Sequence, residues 1–100
     1  MTVPQLVAWL DGRQPRPPEP LRAHLAAAVS DALGLSLPEH LARLGQQTLR
    51  RVTGDPDGGR ALALDLLAAD AFVTYAFEAQ AETDVGGLAL LAERVGGVTA

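Results

Sequence analysis

Apolar residues recur every three or four positions along most of the chain, and this spacing predicts amphipathic helices. No segment alternates apolar and polar residues for long enough to predict a strand. At 100 residues the chain has the length of one domain. The predicted fold is therefore all-α: a single domain, residues 1–100, folded as a compact bundle of about five helices around a long fourth helix.

Capping residues and prolines set the expected ends of these helices. Thr2 with Gln5, and Ser36 with Glu39, have the spacing of a capping box, in which side chains satisfy unpaired helix N–H groups. The prolines of segment 14–20 predict an extended linker between the first and second helices. We expect a first helix that ends at Gly12, a second over 20–33 and a third over 37–52. The fourth helix is expected to run from Asp55 and Pro56 to Glu82. The last helix is expected to be capped by Thr83 or Asp84 and to end at Gly96.

The fourth predicted helix is apolar over an unusually wide arc. Its acidic residues Asp70, Glu78 and Glu82 fall on one strip, which we expect to be solvated and dispensable. The remaining positions are apolar through more than half a turn, which is more surface than four short neighbouring helices cover. We therefore expect a homodimer, with an interface formed by Leu66, Phe72, Val73, Ala76 and Phe77.

Composition narrows the classes of function. The net charge of -4 weighs against general nucleic-acid binding. The absence of cysteine excludes disulfides, thiolate catalysis and the usual structural zinc sites. No apolar run is long enough for a membrane span and no secretory signal is visible, so we expect a cytoplasmic protein. All eight basic residues are Arg and there is no Lys, Asn or Ile, which indicates a GC-rich bacterial genome.

Few residues are candidates for chemistry. There is no catalytic motif, and His24 and His40 lack the spaced carboxylates of a metal site, so we expect lone solvated histidines and no enzyme activity, cofactor or metal. One small-ligand pocket is conceivable, because Asp65 projects away from the acidic strip and Tyr75 carries a hydroxyl that can bind a ligand. The more common arrangement is an aspartate that reaches solvent or an arginine, and a tyrosine with a buried ring.

Arginines on the third helix form a candidate surface for anions or nucleic acid. Its members are His40, Arg43, Arg50 and Arg51. The segment LARLGQQTLRRV resembles a helix-turn-helix signature, which implies a DNA-binding regulator, although the interval from Ala42 to Gly45 is one residue short. We expect one unbroken helix instead, in which Gly45→Ala is neutral or stabilising.

The function that best fits these observations is a small non-enzymatic interaction or regulatory protein that forms homodimers and can bind another protein. The alternatives are a helix-turn-helix-like DNA-binding regulator, which requires a break near Gly45, and a small-ligand-binding domain, which requires a polar cavity at Asp65 and Tyr75.

Overall fold

The computed structural model describes residues 2–30, 34–53 and 59–99, and over these ranges the chain is helical with no strand. The helices are α1 (Val3–Asp11), α2 (Glu19–Ala28), α3 (Leu37–Thr53), α4 (Arg60–Thr83) and α5 (Leu88–Thr99), with a 3-10 turn at Val85–Gly87 directly before α5. This confirms the predicted all-α bundle with a long central fourth helix. In the same ranges no helix combines the length and the hydropathy needed to cross a membrane.

The predicted caps form at the first and third helices. At α1, Thr2 Oγ1 accepts from Gln5 N at 3.4 Å, and Thr2 N donates to Gln5 Oε1 at 3.0 Å, so the capping box is complete. At α3, Ser36 Oγ accepts from Glu39 N at 3.4 Å. Asp84 instead caps the 3-10 turn, because its Oδ1 accepts from the amide that follows Val85.

Three predicted boundaries were wrong. Helix α2 ends at Ala28 rather than at residue 33, because Val29 adopts an extended conformation (φ -69°, ψ 132°). The linker is shorter than 14–20, because α2 begins at Glu19. Helix α5 continues through Gly96, since an interior glycine costs a helix only about 1 kcal/mol. The expected start of the fourth helix at Asp55 and Pro56 lies outside the described residues.

The core forms where α3 and α4 pack along each other and the other helices cover them. Helices α1 and α2 supply leucines to it, and α5 supplies Leu91. The buried side chains are Leu6, Leu10, Leu25, Leu41, Ala42, Leu44, Ala68, Phe72, Ala76, Ala79 and Leu91. Small residues on α4 allow its neighbours to approach closely.

Gly45 lies at the closest contact between α3 and α4. A Cβ atom added there would lie 2.9 Å from Val73 Cγ2 and 3.4 Å from both Phe72 Cβ and the Ala69 carbonyl oxygen. Helix α3 runs unbroken through this position, as predicted. This close contact argues against the expectation that Gly45→Ala is neutral or stabilising, because a β-branched side chain against a helix has little room to move aside.

Polar contacts fasten α1 and α2 to each other and to α4. Arg22 pairs with Asp11 through two hydrogen bonds of 2.8 and 3.2 Å. The guanidinium of Arg13, just after α1, stacks over Trp9 at 3.8 Å from the ring centroid and pairs with Glu82. These contacts hold the amino-terminal helices against one side of the α3–α4 pair.

Candidate functional site

Among the described residues, α1 and α2 cover one side of the α3–α4 pair, and part of the other side is open. On the open side α5 covers one end only, where Arg94 Nη1 donates to Glu39 Oε1 at 2.8 Å and Leu91 enters the core. The remainder is an apolar cavity of about 280 Å³. We call this the α3–α4 groove; it is lined by Gly45, Leu49, Leu66, Ala69, Asp70 and Val73.

One large apolar side chain, Leu66, lies at the α4 edge of this groove, and a second follows it in the sequence. Leu66 is 47% exposed and its neighbour Leu67 is 54% exposed. Full burial of a leucine side chain contributes about 1.5–3 kcal/mol. The half-exposed Leu66 therefore leaves a gain in free energy for whatever covers the groove. Leu67 projects about 100° away around the helix and does not line the groove.

The predicted dimer interface is only partly available. Phe72 and Ala76 are fully buried in the chain's own core, so their assignment to an interface was wrong. The physical reason is that α3 packs directly on the side of α4 that the sequence pattern left uncovered. Of the other predicted members, Leu66 is exposed, and Val73 and Phe77 are half-buried at the surface.

A second apolar groove lies between α4 and α5. It is broad and open, with a volume of about 720 Å³. Its lining residues are Thr74, Phe77, Glu78, Ala81, Leu88, Ala89 and Ala92. The outward side of α4 therefore carries apolar surface towards both α3 and α5.

The basic residues of α3 are placed partly as predicted. Arg43, Arg50 and Arg51 are exposed. His40 is not a member of this surface, because it is 1% exposed and its Nε2 lies 2.7 Å from the carbonyl oxygen of Ser30. Its burial follows from the segment after α2, which lies against this part of α3.

A polar cleft marks the outer side of α3, beside the α3–α4 groove. Its volume is about 310 Å³, and it is lined by Arg43, Gln46, Gln47 and Arg50. Arg94 of α5 lines an adjoining cavity of about 130 Å³ together with Arg43 and Gln46. The position of Arg94 could not be predicted from local patterns, since only the fold brings α5 beside α3.

The acidic strip of α4 contributes one residue to the α3–α4 groove. Asp70, Glu78 and Glu82 are exposed, as predicted. Only Asp70 lines the α3–α4 groove. Glu78 and Glu82 face α1 instead, where Arg13 pairs with Glu82 and lies 3.9 Å from Glu78. The α3–α4 groove thus has one carboxylate in its lining, while the arginines of α3 line the separate polar cleft.

The structure does not bring Asp65 and Tyr75 together in one of the cavities of its described residues. Asp65 Oδ1 lies 2.6 Å from His24 Nε2, so the expectation of a solvated His24 was also wrong. Tyr75 is ten residues further along α4, about 15 Å away along the axis. Its ring packs edge-on against Trp9, with 6.0 Å between centroids, and this burial, with a smaller contribution from Glu78, raises the pKa of its hydroxyl.

Among the described residues, the structure shows no site for DNA binding through a helix-turn-helix and none for a metal ion. Helix α3 lacks the break at Gly45 that a helix-turn-helix requires. Among the described residues, no group of three or more His, Asp or Glu side chains is arranged to hold a metal ion. Comparisons with protein-family models, with curated proteins and with solved structures found no match to this chain.

Proposed function

We propose that this protein is a small non-enzymatic interaction protein that forms a homodimer through the α3–α4 groove. The observation that carries the proposal is the open apolar groove itself, with Leu66 half-exposed at its edge. Burial of this surface is the driving force for association. The buried sides of α3 and α4 are already packed, so dimerisation requires no rearrangement of the core.

A second copy of the chain fits this surface for a reason of symmetry. A two-fold interface uses the same patch on both subunits, so the patch must be complementary to itself. The α3–α4 groove meets this condition, because it has a concave apolar floor at Gly45 and Ala69 and a protruding leucine at Leu66. Asp70 is the one charged residue in its lining, so most of the surface that a second copy would cover is apolar.

The proposal is tested by substituting two leucines whose side chains have similar exposure. Leu66→Glu places a charge at the edge of the groove, and we expect it to raise the dimer dissociation constant at least about tenfold, which corresponds to 1.4 kcal/mol. Leu90→Glu is the matched control, because Leu90 is 56% exposed but lies on α5 outside the groove. Size-exclusion chromatography over a dilution series measures both, and circular dichroism checks that each variant stays helical.

The two substitutions separate a specific interface from general surface hydrophobicity. If Leu66→Glu and Leu90→Glu change the dissociation constant equally, or neither changes it, the α3–α4 groove is not the interface.

A further inference from the structure

We propose that the polar cleft on the outer side of α3 binds a small phosphorylated molecule through its phosphate group. The cleft is lined by Arg43, Gln46, Gln47 and Arg50. None of these residues lines the α3–α4 groove, so the proposed phosphate site stands or falls independently of the homodimer.

The first step is the charge of the cleft. Its lining contains two arginines and no acidic residue, although the whole chain has a net charge of -4. Within the described ranges, Arg43 makes no ion pair and no side-chain hydrogen bond. Glu39, which lines the adjoining cavity, is paired with Arg94 at 2.8 Å. The positive charge of Arg43 is therefore not neutralised by a described carboxylate, and it attracts anions to the cleft.

The second step is the supply of hydrogen-bond donors. Arg43, Gln47 and Arg50 follow one another at intervals of four and three residues, so they lie on the same face of α3. A guanidinium presents five N–H donors in a fork that matches two oxygens of a phosphate, and a glutamine amide adds two more donors. A phosphate group offers three acceptor oxygens where a carboxylate offers two, so it can use more of these donors. The lining is thus better matched to phosphate than to a carboxylate.

The third step is the size of the ligand. The cleft volume of about 310 Å³ falls at the lower end of the range of roughly 300–1,000 Å³ for small-molecule sites. Arg43 and Arg50 are seven residues apart, which is about 10 Å along the helix axis, so the cleft is long enough to hold more than the phosphate group itself. A long polyanion such as nucleic acid is disfavoured, because the net negative charge of the chain opposes its approach.

The phosphate site is tested by titrating the isotope-labelled full chain with inorganic phosphate at constant ionic strength, followed by nuclear magnetic resonance. We expect saturable shifts of the side-chain amide signals of Gln46 and Gln47, with a dissociation constant on the order of millimolar for charge-assisted hydrogen bonds at an exposed site. Arg43→Gln should raise this constant at least about tenfold, because it removes the charge and the guanidinium fork. Arg51→Gln is the matched control and should leave the constant nearly unchanged, since Arg51 is exposed on the same helix but does not line the cleft.

A third variant and a second probe make the outcome decisive. Gln47→Glu places a carboxylate inside the cleft, and we expect it to abolish phosphate binding, because like charges repel. The proposal is overturned if the wild type shows no saturable shifts at tens of millimolar phosphate, or if Arg43→Gln and Arg51→Gln weaken binding equally. A single-stranded oligonucleotide that binds more tightly than phosphate at equal phosphate concentration, and that is weakened equally by both arginine substitutions, would replace the small ligand with nucleic acid.

Discussion

At the scale of single residues, Gly45 is the position where α3 and α4 come closest. Gly45→Ala gains about 1 kcal/mol of helix propensity and incurs about 1–3 kcal/mol from overpacking, because the new Cβ would lie 2.9 Å from Val73 Cγ2. We expect a net loss of about 1 kcal/mol in the free energy of unfolding, measured by urea denaturation.

Two further variants make this expectation specific. Gly96→Ala serves as a control, because nothing lies within 4 Å of a Cβ at Gly96, so it should be neutral or stabilising. Val73→Ala removes the clashing methyl group, so adding Gly45→Ala to it should be less damaging than in the wild type. An unfolding midpoint of Gly45→Ala equal to or above that of the wild type would contradict the close packing at this site.

Tyr75 is the chain's one tyrosine, so its titration can be followed by phenolate absorbance without overlap from other tyrosines. Burial, aided by Glu78, raises its pKa above the ordinary value of about 10, while Arg13 opposes the shift. The contribution to stability is therefore fully present below about pH 10 and is lost as the pH rises through the folded-state pKa. A titration midpoint in the folded protein no higher than in denaturant would refute the packing against Trp9.

At the scale of helices, the contact between His24 and Asp65 fastens α2 to α4. Asp65→Ala leaves a half-buried imidazole without its partner, and we expect a loss of about 1–3 kcal/mol in the free energy of unfolding. Asp70→Ala, on the same helix but exposed, should change stability by no more than about 0.5 kcal/mol. Equal losses for the two variants, measured by urea denaturation, would show that the contact does not hold α2 in place.

The sequence predicted the helices better than it predicted their packing. Periodicity and capping residues are local, so α1, α3 and the polar strip of α4 could be recognised from the order of residues alone. Which neighbour covers which side of α4 depends on contacts between distant residues. Nothing local indicated that Gly45 would let α3 bury Phe72, or that His24 would pair with Asp65.

The same limit applies to the candidate site. The apolar arc of α4 correctly indicated surplus apolar surface, and Leu66 remains exposed. The location of this exposed apolar surface could not be predicted, because the apolar arc of α4 is divided between the core, the contact with Trp9 and the α3–α4 groove. The polar cleft on α3 was foreseen as an arginine surface, whereas its continuation to Arg94 depends on the tertiary placement of α5.

At the scale of the whole molecule, the central claim is that the α3–α4 groove is occupied by a second copy of the chain. Sedimentation equilibrium of the unmodified protein at micromolar concentrations tests it most directly. The account predicts a species of twice the chain mass of 10.4 kDa, which dissociates on dilution. A single species of 10.4 kDa at every concentration would contradict it.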